Sequence, residues 1–533
     1  MQLTRKEVHE QVYFYTLILI AVSLPLSIYT SSMFQIALLL NYLAEGKFRE
    51  KWLRLKGNRA LWIFLLLYLI HVAGLLWSQD DTYGLKDLKV KLPLLILPLI
   101  VGTSVPLVRK QSDTILLFFS LSVFAGSMAS VMKLTGLLPG QIEGYRDLSI
   151  FISHIRFSLM IVLALLVAFY LLIIQREDLP RFHRFFYFGC LLWFPIFLVL
   201  LKSLSGIIIG GILAIFILGR AVFEIRDPAI RFMAVVAVIM IPLFSIIYLG
   251  HAVNKFYALD PMAEADPDSV TVEGNRYFNQ PDRKETENGH YVWIHVCEKE
   301  MEREWNRLSE IDYHGLTANG NGIRMTLIRF LTSKGLRKDA AGVRQLDPEE
   351  IRAIERGVAN VIYMKRFRLY PRIYEVIWEI DRFRMGYDPN DKSVVQRYFY
   401  LDAGWKIARQ NLLLGVGTGD VKQAFRDYYE SIDSPLEAKW RRRSHNQYLT
   451  FMIALGIPGL VLAVTAMVAP LYIARRERSF LAAGLLILLM ISMLNEDTLE
   501  TSAGTAFTAF FFALFIFGPD YPWLRRKLFA RNG

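Results

Sequence analysis

"LMIVLALLVAFYLLII", residues 159–174, runs through its whole length without a charged residue. With its flank back to 155 it reaches the roughly 20 residues an α-helix needs to cross a bilayer core. Similar blocks recur along the chain: "WIFLLLYLIHVAGLLW" (62–77), "FMAVVAVIMIPLFSIIYLG" (232–250) and "FLAAGLLILLMISML" (480–494). Charges nearly vanish inside them, as the cost of burying charge in hydrocarbon requires. The 533 residues are 54% hydrophobic with mean hydropathy +0.32, and it is the block distribution that identifies an all-α polytopic membrane protein.

About twelve spans are predicted, over 12–26, 28–43, 60–77, 89–103, 113–133, 155–174, 184–201, 204–219, 231–250, 446–472, 480–495 and 503–518. Pro25 breaks the first long apolar stretch into a retained helical hairpin, because the stretch is too long for a signal-peptide core and lacks a cleavage site. Pro93 and Pro98 are expected to bend the fourth span. The sequence shows no internal repeat and no low-complexity tract.

The formal net charge is +12. In a soluble chain that would raise nucleic acid as a partner. Here the basic residues follow the positive-inside pattern, so no nucleic acid is expected. Lys47, Arg49, Lys51, Arg54, Lys56 and Arg59 form one cluster. Arg176, Arg181 and Arg184 form a second, Arg220, Arg226 and Arg231 a third, and Arg475, Arg476 and Arg478 a fourth. Arg525, Arg526, Lys527 and Arg531 end the chain. If all are cytoplasmic, both termini are cytoplasmic and the large polar segment 251–445 faces the other side. The expected division is 1–250 for the first nine spans, 251–445 for a mostly helical loop domain, and 446–533 for the last three spans and a cytoplasmic tail. Within the loop, 260–290 reads as irregular, and 297–311, 347–370 and 396–410 read as helices, the second opened by Asp347 and Pro348. The two cysteines, Cys190 and Cys297, lie in different environments, so no disulfide framework is expected.

Three motifs invite chemistry. "GVGTG" (415–419) looks like a phosphate-cradling loop, but it follows a helix rather than a strand and is read as a tight turn. His290, His295, Cys297 and His314 match no common zinc spacing and are read as scattered surface residues, with no metal or cofactor expected. The third is "RRRSHNQYLTFMIALGIPGL" (441–460), where Arg441, Arg442, Arg443 and His445 stand at the rim of a span. A neutral imidazole there can take a proton from a hydroxyl. Neighbouring guanidinium groups can hold a diphosphate and favour the neutral imidazole. The plain alternative is that the arginines contact headgroups and His445 caps the helix. Three arginines on the outer side run against the positive-inside bias, which tilts the reading toward a site. Lys91, Arg156, Lys202 and Arg397 fall on the same predicted side, as do Glu496, Asp497 and Glu500. That grouping suggests a cavity with a cationic wall and an acidic lip.

"RSHNQYLTFMIALGIPGLVLAV" (443–464) resembles the signature of the O-antigen ligase and polymerase superfamily, with "RYFYLDAGWKIARQNLLLGVGTGD" (397–420) similar to the block preceding it. "HIRFSL" (154–159) and "LNEDTLETSAGTAFTAFFFAL" (494–514) add to the likeness. The resemblance implies the fold of the large membrane glycosyltransferases and a metal-independent, inverting transfer of glycan at the periplasmic face of the bacterial inner membrane. Undecaprenyl-pyrophosphate-linked glycan would be the donor and lipid A-core the acceptor, with the chain acting as a monomer among membrane lipids. By the same resemblance His445 is the base or acceptor-positioning residue. Arg156 and Arg397, with Lys91, Arg442 and Arg443, would hold the pyrophosphate. Asn446, Gln447, Glu496 and Glu500 would support the acceptor side. One departure stands out: "SLSGIIIGG" (203–211) lacks the arginine of a Ser-Arg-Gly common in the family, and Lys202 would supply that charge. An O-antigen polymerase or a protein O-oligosaccharyltransferase would share these motifs. A transporter or flippase would instead need paired mid-membrane charges and inverted repeats, and His71 is nearly alone inside a span.

Overall fold

The computed structural model describes residues 4–139, 145–174, 179–224, 227–260, 268–365, 368–474 and 479–518. Arg176, Arg226, Arg475, Arg476, Arg478 and the C-terminal cluster Arg525, Arg526, Lys527 and Arg531, with the expected cytoplasmic tail, lie outside them. Two compact units form: Met1–Val235 with Gly386–Gly533, and Val236–Met385. Residues 386–445 thus cluster with the first unit, and the second begins inside the ninth expected span.

The first unit opens with a hairpin, α1 (Arg5–Ser23) and α2 (Ile28–Glu45), turned at Pro25 as the sequence suggests. Arg5 donates to the Ala44 carbonyl at 3.1 Å and His9 Nδ1 meets Asn41 Oδ1 at 2.8 Å, which closes the open end. Then come α3 (Phe48–Gly57) and α4 (Arg59–Ala73), the latter running into a 3₁₀ turn at Gly74–Trp77. The expected fourth span is broken rather than bent. α5 (Asp81–Lys91) ends before Pro93, which occupies the first turn of α6 (Pro93–Thr103). Proline lacks the N–H that would continue the ladder but suits a helix start, so the chain restarts there. The break leaves Lys91 at the last turn of a short helix. α7 (Arg109–Leu134), α8 (His154–Phe169, continued by a π turn at Tyr170–Ile174), α9 (Arg181–Leu200), α10 (Leu204–Glu224) and α11 (Pro228–Tyr257) follow, and α11 carries the chain into the second unit.

Each expected span falls mainly on helix, the fourth in two pieces. Among the described residues six helices can cross a membrane by length and composition: Arg59–Trp77, Arg109–Leu134, His154–Ile174, Arg181–Leu200, Pro228–Tyr257 and Gln447–Ala474. Leu204–Gly219, Phe480–Asn495 and Ser502–Phe517 are apolar but shorter. α11 keeps large apolar residues such as Phe232, Met233 and Ile246 about two-thirds exposed. An apolar surface of that kind calls for a nonaqueous surrounding.

The second unit holds α12 (Glu298–Leu308), α13 (Ile323–Ser333), α14 (Ala340–Arg344), α15 (Pro348–Glu355) and α16 (Tyr370–Arg384) around its own core of Trp305, Tyr313, Leu327 and Phe330. The irregular stretch contains one two-residue hairpin, β1 (Thr286–Glu287) paired antiparallel to β2 (His290–Tyr291). α12 and α15 start near their expected residues, but the helix expected over 347–370 stops early. Gly357, at φ +92°, ends α15, and a 3₁₀ turn at Val361–Met364 intervenes before α16. α13 and α14 carry no expected counterpart. Back in the first unit, α17 (Ser393–Gln410), α18 (Val421–Ser431), α19 (Gln447–Ala474), α20 (Ser479–Asn495) and α21 (Ser502–Phe512, with a π turn at Ala513–Phe517) complete the chain.

A candidate active site at the head of α19

α19 is two helices in one. Gly456 sits at φ 68°, ψ −173°, a conformation open essentially only to glycine, and it kinks the helix. The kink frees carbonyls that the ladder would have used. The "GVGTG" turn takes them: Val416 N–H donates to Ile453 O at 2.8 Å and Gly417 N–H to Ala454 O at 2.9 Å. Thr418 reaches the other way, its N–H to Gly74 O at 3.2 Å and its hydroxyl to His71 O at 2.8 Å. Gly419 N–H donates to Ser78 Oγ at 2.9 Å, and the Asp420 carboxylate accepts from the Gln79 and Asp80 N–H groups, each at 2.8 Å. The loop is therefore a clasp between α4 and α19. Its N–H groups are committed to protein, so it cradles no phosphate.

Above the clasp the chain enters α19 through Ser444, His445 and Asn446. His445 adopts a left-handed backbone, φ 49°, a conformation histidine reaches more readily than bulkier residues. Asn446, not His445, caps the helix: its Oδ1 accepts from Leu449 N–H at 3.0 Å, and its Nδ2 donates to Leu494 O at 2.9 Å. That leaves the imidazole free of capping duty. Its ring lies 5.4 Å from the Tyr400 ring, and Nδ1 is 3.9 Å from Glu496 Oε2.

Glu496 also receives Arg397, at 2.8 Å, while the same guanidinium donates to the Asn495 carbonyl at 2.6 Å. Asn495 Nδ2 reaches Ser205 Oγ at 3.1 Å, which ties the α9–α10 turn to this strip. Lys202 stands in that turn at φ 49°. Arg156, at the start of α8, donates through Nε to Thr501 Oγ1 at 3.1 Å. Asp497 accepts from Thr450 Oγ1 at 2.9 Å.

Glu500 is the hub. Its side chain is 2% exposed and accepts Lys91 at 2.8 Å, Arg443 at 2.9 Å and Gln447 Nε2 at 3.0 Å. Lys91 is shared with Asp87 one turn earlier, at 2.7 Å. Gln447 Oε1 in turn accepts from Leu499 N–H at 2.8 Å. A buried carboxylate holding two cations is stable only because every partner is in place.

The charges are interleaved rather than set as a cationic wall facing an acidic lip. Lys91, Arg156, Arg397 and Arg443 are four cations against the four carboxylates Asp87, Glu496, Asp497 and Glu500, and three of the cations hold a carboxylate. Desolvation accounts for the difference, since cations packed this closely away from water need counter-charges. Arg442 is exposed and, among the described residues, pairs with no carboxylate.

The same surroundings set the protonation states. Burial pushes the His445 imidazole below its ordinary value. Glu496 and Asp497 pull it back up, and Arg397 and Arg442 push further down. Burial would raise Glu500, but Lys91 and Arg443 hold it well below the usual carboxylate range. Asp497 is raised, chiefly by burial. Asp87 is raised to about 6 by burial and by Glu500, against the pull of Lys91. At neutral pH the arrangement thus offers a neutral imidazole that can accept a proton, in a strip that holds the ionised Glu500 and one guanidinium without a carboxylate partner.

The candidate active-site residues singled out from the sequence all belong to the first unit. Lys91, Arg443, Gln447 and Glu500 meet at one carboxylate, and Arg397, His445 and Glu496 meet at another. Arg156 joins through Thr501, and Lys202 stands three residues before Ser205, which meets Asn495. Asp87 and Thr501 went unread. Asp87 stands four residues before Lys91, a helical ion-pair spacing that could have flagged it. Nothing in the linear text links Thr501 to Arg156, 345 positions away. The histidines and Cys297 set aside as a metal cluster do not converge: His290 lies 3.8 Å from Asp260 and His295 accepts from Asp268 N–H. Among the described residues no group of three or more His, Cys, Asp or Glu could hold a metal ion.

Residues 358–464 match the family model described as O-antigen ligase. The match contains Arg397, Arg442, Arg443, His445, Asn446 and Gln447. No curated protein matches the chain.

Proposed function

Taking the O-antigen ligase match over the segment that carries His445 as premise, we propose that the chain is a membrane glycosyltransferase that moves glycan from undecaprenyl pyrophosphate to lipid A-core. The observation that carries the reading is the His445–Glu496–Arg397 arrangement, a neutral imidazole released from capping and set between a carboxylate and guanidinium groups. In the reaction His445 takes the proton of an acceptor hydroxyl. The oxygen attacks the anomeric carbon from the face opposite the phosphate, and the bond to the phosphate oxygen breaks with its electron pair. Undecaprenyl pyrophosphate leaves with that charge, and the anomeric centre inverts. Arg442 is the cation best placed to meet the leaving charge, because it has no carboxylate to give up. Arg397, on Glu496, and Arg156, on Thr501, are further cations of the strip. Preorganised cations of this kind stabilise charge as it forms. Glu500 acts as a positioning residue. The site faces the periplasm in the bacterial inner membrane, both termini are cytoplasmic, and the chain works as a monomer.

The test is lipopolysaccharide from a strain lacking the gene. Complementation with the wild type restores the ladder, and His445→Ala leaves bare core with lipid-linked polymer accumulating, activity falling by about a hundredfold or more. Core capped by a single repeat unit in the null strain would identify a polymerase instead. An unchanged ladder in the null strain would sink both readings.

A further inference from the structure

The second unit carries an open cleft of about 780 Å³ that no residue of the strip around His445 lines. Its floor is a pair of short backbone ladders. Phe278 and Val296 exchange hydrogen bonds at 2.8 and 3.2 Å, and Gln280 N–H donates to Trp293 O at 2.7 Å. Arg276, Arg283, Lys299 and Arg324 stand around it, with Glu298 as the one carboxylate in its lining. Glu298 is taken by Arg324 at 2.8 Å. Arg283 lies over the Trp293 ring at 4.6 Å. Among the described residues Arg276, Arg283 and Lys299 form no ion pair, whereas Arg303, Arg329, Arg344 and Arg382 of the same unit each hold a carboxylate. Four cations against one carboxylate make a positive concavity that concentrates anions. The Phe278 ring is 51% exposed beside them. An exposed apolar ring flanked by uncommitted guanidinium groups suits a ligand with an apolar ring face and charged substituents. The volume falls in the range of small-molecule sites, roughly 300–1,000 Å³.

We propose that this cleft binds acidic saccharide units, sugars bearing carboxylate or phosphate groups. The assignment stands whether or not the chain transfers glycan. The test uses the full chain in phosphatidylcholine nanodiscs, with tetragalacturonate, maltotetraose and inorganic phosphate as probes. Tetragalacturonate should bind at least about tenfold more tightly than maltotetraose. Its affinity should fall with added salt. The double variant Arg276→Ser, Lys299→Ser removes two exposed, unpaired side chains. It should weaken tetragalacturonate by about tenfold or more with the thermal midpoint unchanged. Equal binding by wild type and variant would overturn the proposal. Full displacement of tetragalacturonate by inorganic phosphate at matched charge would reduce the cleft to a bare anion patch. Loss of binding in phosphatidylglycerol nanodiscs would assign the cleft to lipid headgroups and refute the saccharide reading.

Discussion

His445 and Glu500 do different work, and pH separates them. Burial holds the imidazole below its ordinary value of 6.5, so it is neutral at pH 7 and becomes charged only in more acidic solution. A base that must be neutral gives a rate that falls on the acid side, with the limb below pH 6.5. Glu496 favours the charged imidazolium, so Glu496→Gln should move that limb to still lower pH. The kcat/KM profile with a soluble acceptor analogue measures it, and an unmoved limb would remove His445 from the role of base. Glu500 holds Lys91, Arg443 and Gln447 at once. Glu500→Gln takes its carboxylate from the half-buried Arg443 and one of two from the buried Lys91, and should cost about 3 kcal/mol or more, seen as lost folded protein by fluorescence-detected gel filtration. Asp87→Asn leaves Lys91 on Glu500 and should be much milder. Equal losses would mean that the hub is not centred on Glu500. The histidine was legible because its charge neighbours adjoin it in the text. The role of Glu500 was not, because its partners come from residues 91, 443 and 447.

At the level of elements, the kinked α19 is where sequence and structure part most usefully. The blocks of apolar residues marked the six helices long and apolar enough to cross a membrane among the described residues, since hydrocarbon tolerates few alternatives. The same pattern made 446–472 look like one rod. Glycine is common in membrane helices, and "ALGIPG" alone does not say which glycine breaks the ladder. The partner that takes the freed carbonyls lies some 40 residues earlier, in a loop that by itself read as a turn. Gly456→Ala places a methyl group inside contact distance of the Leu413 carbonyl oxygen and forces a left-handed φ. Gly46 has a similar φ, +70°, but open space around it. Gly46→Ala should cost about 1 kcal/mol. Gly456→Ala should cost several times that, read as the drop in thermal midpoint of the detergent-solubilised chain. Similar drops for the two would dismiss the clasp as a stabilising contact.

Across the whole molecule, the sequence divides into membrane blocks and one large polar segment, and the sidedness of that segment decides which chemistry the strip can meet. A reporter active only in the periplasm should be active when inserted at the exposed turn around Gly320 and silent when fused after residue 533. The reverse pattern would place His445 on the cytoplasmic side and remove the lipid-linked donor reading. The clasp also sets an order in time. The end of α4 gives up His71 O, Gly74 O and Ser78 Oγ to residues some 340 positions later. At roughly 5–20 residues per second, α4 leaves the ribosome on the order of tens of seconds before its partners exist. Through that interval the unfinished chain lacks the loop that meets these groups, with Gly74 O served only by the local Ser78 hydroxyl at 2.8 Å, and this nascent form is the one that insertion chaperones and membrane proteases meet.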